Sequence, residues 1–262
     1  MKPLALLPLI ALSLAMLTTS AMAKIKTEVV EYKSGDTTLQ GFLAYDDANA
    51  KPRPGVLLIH DWMGVSSYAE SRAKQLAELG YVAFAADIYG KGVRPADPKE
   101  ASALAGKYKD DRALYRERLK AGLAQLTANK LVEPGKVAAI GYCFGGTGVL
   151  ELVRSGADVK GIVSFHGGLN TPTPADAKNI HCPVLVLHGA DDPFVKPDEV
   201  AAFKKEMDDA KVKYTFIAYP GAVHSFTRPD AGNDNSKGAA YNKEADKKSW
   251  AEMQKFFKQI FS

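Results

Sequence analysis

The chain has only two cysteines in 262 residues, and they stand in unrelated settings. So few rule out a disulfide-stapled scaffold. There is no paired-cysteine spacing and no H-E-x-x-H, so no metal site is expected, and nothing calls for another cofactor. Neither charge sign dominates: 34 Lys and Arg face 30 Asp and Glu, interspersed, for a formal +4. That balance, with no basic run, excludes a nucleic-acid partner. No G-K-[ST] follows a glycine loop, which excludes a phosphate cradle of that type. Internal repeats, low-complexity tracts and domain-splitting linkers are missing as well.

Long apolar runs are scarce. One occupies residues 4–17 (LALLPLIALSLAML), preceded by Lys2 and followed by TTSAMA, which ends in Ala21-Met22-Ala23. It is too short to span a bilayer comfortably and lacks a basic stop, so residues 1–23 read as a secretory signal peptide cleaved before Lys24. The expectation is an exported protein, periplasmic or secreted, free of the membrane after cleavage and acting as a monomer. Residues 24–262 are long enough for one core and read as a single domain.

What is present is a regular alternation. Residues 26–33 and 37–45 read as a hairpin around Ser34-Gly35-Asp36. Short apolar strands follow at 55–60, 81–87, 136–141, 160–168, 183–189 and 213–219. Helical patterns lie between them at 67–79, 98–108, 111–128, 144–154 and 197–210, and a last helix is expected over 238–261. Buried strands alternating with amphipathic helices predict an α/β fold, a mostly parallel central sheet with helices on both faces. Ligands of such sheets bind beyond the strands' carboxyl ends. Those ends carry His60-Asp61, Asp87, Gly141-Tyr142-Cys143, His166, His188 and Asp191-Asp192.

Cys143 stands in KVAAIGYCFGGTG, where a strand turns sharply into a helix. Such a bend strains its central residue and lifts that side chain above the sheet. The crossing chains need small residues two before and two after, and Gly141 and Gly145 occupy those places. Cys143 therefore fits G-x-nucleophile-x-G at a helix N-terminus, where free N–H groups favour a thiolate. Cys182, in NIHCPVLVLHG, reads as a core or strand-edge residue. A bridge to Cys143 would need Cα atoms within about 7 Å. Glu151, standing where a third phosphate-loop glycine would be, argues against an anion cradle.

A nucleophile needs a base and the base an orienter. In this architecture the chain order is nucleophile, acid, histidine. His224, in YPGAVHSF after the sixth buried strand, fits the last place. His188 reads as core, His181 precedes a strand, and His166 ends one and could line the pocket. In HGADDPFV the third position after Gly189 gives Asp192 as the acid, with Asp191 a turn residue. The oxyanion hole needs two converging N–H donors. Phe144, just after the nucleophile, supplies one; Trp62 in IHDWMG supplies the other.

With GYCFGG, GADDPFV, GAVHSF and HDWMGVS in order over nearly all of 26–262, the chain resembles the dienelactone hydrolase family. That family is a cysteine branch of the α/β-hydrolase fold. The resemblance implies a carboxylic ester hydrolase of the carboxymethylenebutenolidase type, with Cys143 as nucleophile, His224 as base and Asp192 as orienter. It implies that Asp61 touches the thiol and helps ionise it when substrate arrives, with aspartate where glutamate is familiar. It also implies that Arg228 binds a substrate carboxylate and that Tyr108 lies beside the substrate. A second carboxylate-binding arginine of the family falls here at Leu104. The expected partner is a small ester or lactone. A general carboxylesterase or thioesterase, and a non-catalytic binding protein on the same scaffold, remain as alternatives.

Overall fold

The computed structural model describes residues 24–262, so the expected signal peptide lies outside the described residues. Eight strands form one sheet in the order β1-β2-β4-β3-β5-β6-β7-β8. β1 (Ile25–Ser34) and β2 (Thr37–Asp46) make the expected antiparallel hairpin, with Ser34 paired to Thr37. β2 also lies antiparallel to β4 (Val82–Ala86). From there β3 (Arg53–Ile59), β5 (Val132–Tyr142), β6 (Ile162–Phe165), β7 (Val184–Gly189) and β8 (Tyr214–Tyr219) continue in parallel.

Successive side chains on a strand point to opposite faces, and both faces of this sheet are covered. On one face Leu57, Ile59 and Phe84 pack with Tyr115 and Leu119 of α3 (Arg112–Thr127) and with Phe144 and Val149 of α4 (Phe144–Arg154). α2 (Pro98–Asp110) and α5 (Pro197–Asp209) add Ala105 and Phe203 to that cluster. On the other face Val56, Leu58, Ile140 and Val163 meet α1 (Ser67–Glu78) through Ala73 and Leu76. α6 (Lys243–Ile260) closes that face with Met253 and Phe257. All four of those strand side chains are fully buried, which is why the strands read as continuous apolar runs.

Among the boundaries that differ from expectation, two bear on the site. β6 stops at Phe165 because His166 turns to φ 39°, which ends the extended run over the active end of the sheet. α6 begins at Lys243 rather than 238. Residues 238–240 are held elsewhere: Gly238 is left-handed, its carbonyl accepts the His224 N–H, and the Ala240 N–H donates to the His224 carbonyl. Asn242 then caps the helix by accepting the Ala245 N–H. The TPTPADAKN loop contains a short 3-10 turn over Pro174–Asn179.

Candidate active site

Cys143 sits at the β5–α4 bend with φ 52° and ψ −112°, a strained left-handed conformation for a residue with a side chain. The crossing is as tight as the sequence pattern requires. A Cβ on Gly141 would lie 2.0 Å from the Gly145 carbonyl oxygen, and one on Gly145 would lie 2.2 Å from that of Ile59. α4 is held from behind by a buried charge network. Arg154, fully enclosed, donates to both Glu206 carboxylate oxygens at 2.8 and 2.7 Å and to Glu151 at 3.1 Å. Glu151 thus serves the scaffold.

Loops from distant elements converge on Cys143, a residue partly open to solvent. His224 Nε2 lies 3.0 Å from Cys143 Sγ, and its Nδ1 lies 2.8 Å from Asp192 Oδ2. Asp192 Oδ1 also accepts the Phe194 N–H at 2.8 Å, so the buried carboxylate is fixed in place. Sulfur, imidazole and carboxylate form one connected line.

Its electrostatics favour charge separation. Burial pushes the Cys143 thiol up, but the charge and hydrogen bond of His224 outweigh burial and leave it below the ordinary thiol value. Burial pushes His224 down, while Cys143 and Asp192 raise it, to about 10. Both directions favour a thiolate–imidazolium pair over the neutral pair, with the α4 N-terminus adding partial positive charge behind the sulfur.

The Phe144 N–H is one of the first-turn groups that an α-helix leaves without an intrahelical partner. The loop after β3 carries the second expected donor. Tyr89 Oη donates to the Trp62 carbonyl at 3.0 Å, and the Met63 N–H donates to Asp61 Oδ1 at 2.8 Å. These contacts shape the turn that carries the Trp62 N–H, which bonds to no other described residue.

Asp61 is 1% exposed. Its carboxylate engages the Met63 N–H and Arg228 Nη1 and makes no hydrogen bond to the thiol in this substrate-free state. Its charge pushes the Cys143 thiol up rather than down. Arg228 is engaged twice: besides Asp61 it donates through Nε (2.9 Å) and Nη2 (2.5 Å) to the two oxygens of Asp230. Tyr108 is 2% exposed and donates to the Tyr89 carbonyl at 3.3 Å, so it braces Tyr89 rather than facing a substrate. Leu104 is partly buried against the same apolar cluster as Trp62.

His166 is fully buried, 5.3 Å edge-on behind the His224 ring, with Nε2 on Thr227 Oγ1 at 2.8 Å. Burial holds it well below the usual imidazole value, so it backs His224 as a neutral ring. His188 is buried in β7, His181 is exposed, and both cysteines are free. Asp191 accepts the Gly221 N–H at 3.0 Å, the turn role expected of it.

Sequence reasoning did not single out Tyr89, Asp230 or Phe194. Phe194 is 60% exposed and stands 5.4 Å edge-on to His224. Phe194 also lines a cavity of about 440 Å³ with Asn170, Glu199, Phe203 and Glu206, and none of Cys143, Asp192 and His224 lines it. A signal for Asp230 was present in the short spacing of R-P-D, but a pairing between neighbours in a loop depends on backbone geometry that spacing does not carry.

Residues 39–261 match the model of the dienelactone hydrolase family. The solved structure named m3DLH superposes with a TM-score of 0.87 at 38% identity, covering 91% of this chain and 99% of that one. A crystal structure of a dienelactone hydrolase-like promiscuous phosphotriesterase from metagenomic libraries gives 0.86 at 40% identity, with the same coverage. Protein usf of Aquifex pyrophilus is 30% identical over 76% of this chain and 86% of its own length.

Proposed function

The chain belongs to the dienelactone hydrolase family, and on that premise we propose that it cleaves an ester or lactone through an acyl-cysteine intermediate at Cys143. The observation that carries this reading is the line from Cys143 Sγ to His224 Nε2 (3.0 Å) and from His224 Nδ1 to Asp192 (2.8 Å).

The thiolate attacks the carbonyl carbon. The sulfur–carbon bond forms while the carbonyl electrons move to oxygen, where the N–H groups of Trp62 and Phe144 hold the negative charge. The oxyanion collapses, the carbon–oxygen bond to the leaving group breaks, and the imidazolium of His224 gives that oxygen its Nε2 proton. Neutral His224 then takes a proton from water, which attacks the acyl-cysteine. The acid departs and the thiolate is restored beside a recharged imidazolium. Asp192 keeps the Nδ1 proton in place and stabilises the charged ring. Asp61 acts by shaping the Trp62 turn and by holding Arg228. A direct part for it in ionising the thiol finds no contact in this state.

The reading includes export, supported by the apolar run at 4–17 and the Ala21-Met22-Ala23 end. The test is hydrolysis of p-nitrophenyl acetate by the mature protein and by Cys143→Ala. Loss of turnover in the variant is expected. Equal activity in the two proteins would discard Cys143 as the nucleophile, and no activity in either would favour the rival reading of a binding protein on a hydrolase scaffold.

A further inference from the structure

We propose that this site is built for an uncharged acyl group, and that Asp230 sets this preference by cancelling the anion-binding capacity of Arg228. The inference rests on the hydrolase reading above and names the substrate class for it.

Arg228 is the cation that a carboxylate-bearing substrate would need, and each of its three nitrogens already donates to a carboxylate. Nη1 goes to Asp61, while Nε and Nη2 form a two-pronged pair with Asp230 at 2.9 and 2.5 Å. The guanidinium face lies 5.0 Å over the Tyr68 ring. One positive charge therefore serves two negative ones, and the group presents a net −1 to whatever approaches. Arg228 in turn holds the Asp230 carboxyl below its usual range, so this partner stays ionised. Paired forks of this kind are among the stronger charge contacts.

Nearby cations do not replace it. Arg94 donates to the Val65, Val93 and Gln40 carbonyls and pairs with buried Asp87. The Nε and Nη1 of Arg112 have no partner but are sealed from solvent. Lys109 is exposed, and its charge reaches the thiol only as a minor influence. Leu104 is apolar. A substrate carboxylate would meet a guanidinium already shared by two carboxylates, whereas a neutral acyl chain carries no charge for Asp61 and Asp230 to repel.

The experiment compares p-nitrophenyl butyrate with the mono-p-nitrophenyl ester of glutarate in the wild type and in Asp230→Asn. The wild type should favour the neutral ester in kcat/KM. Removing one nearby negative charge should raise the glutarate-to-butyrate ratio roughly tenfold or more at low salt. A second pair of probes needs no turnover. Cys143 is alkylated with iodoacetamide or with iodoacetate, iodide leaving as the sulfur–carbon bond forms, and the adduct is read by mass spectrometry. The iodoacetate-to-iodoacetamide rate ratio should rise in Asp230→Asn, whereas a merely structural effect would move both rates together. A wild-type preference for the glutarate ester, or ratios unmoved by the substitution, would overturn the proposal. Failure to hydrolyse either ester would instead strike the hydrolase reading, and the alkylation pair would still decide the part of Asp230.

Discussion

Replacing His224 with alanine should raise the proton affinity of the Cys143 thiol, and the size of the effect follows from the site. In the native protein His224 lies 3.0 Å from the sulfur and favours its ionised form against the opposing pull of burial. A hydrogen bond to a charged group contributes about 1.5–3 kcal/mol. With about 1.36 kcal/mol per tenfold change in the ionised fraction, losing it lowers the thiolate population near neutrality roughly 10- to 150-fold. Burial, no longer opposed, acts in the same direction. The assay is the second-order rate of iodoacetamide alkylation against pH. In the wild type the rate should fall as pH drops through a thiol pKa below the ordinary 9.0. In His224→Ala that limb should move above the ordinary value. Hydrolysis in the wild type should have a second limb. As pH rises through about 10, His224 loses its proton and can no longer supply the leaving group, so turnover declines while alkylation continues. Superimposable alkylation profiles for the two proteins would refute the ion-pair account.

Asp192→Asn should lower kcat by roughly 100- to 10,000-fold with the fold intact, because the ring loses the acceptor that fixes its tautomer; stopped-flow kinetics and circular dichroism together check this. Tyr89→Phe removes the 3.0 Å bond to the Trp62 carbonyl, and kcat should fall roughly tenfold with little change in KM, as steady-state kinetics would show. In Gly145→Ala the new methyl group would meet the Ile59 carbonyl at 2.2 Å, so a destabilisation of about 3 kcal/mol or more is expected in chemical denaturation. A native thiol titration should find one fast-reacting cysteine, Cys143. Cys182 is buried and pushed up to about 12, and it should react only on unfolding.

The parts of the site legible in the sequence were those fixed by local backbone demands. Gly141, Cys143 and Gly145 announced the bend because a Cβ at either glycine would strike backbone. His224 and Asp192 followed from chain order and from where parallel strands end. Arg228 was legible as a residue but not as a state. Its pairing with Asp61 joins positions 167 apart, and its pairing with Asp230 depends on a 3-10 turn at Pro229–Ala231 that no periodicity reveals. Tyr108 was singled out by the family resemblance, which gives a position on α2 but not the depth at which the ring packs. The start of α6 was misjudged for a related reason. Residues 238–240 have no signal against helix except Gly238, and what keeps them out is the backbone of His224.

The most direct measurement is mass spectrometry of the protein quenched during turnover of an activated ester. The account predicts one acyl group on the peptide containing Cys143, formed in the wild type and accumulating when His224 is replaced. Steady turnover with that peptide unmodified, or an acyl group found on another residue, would contradict it.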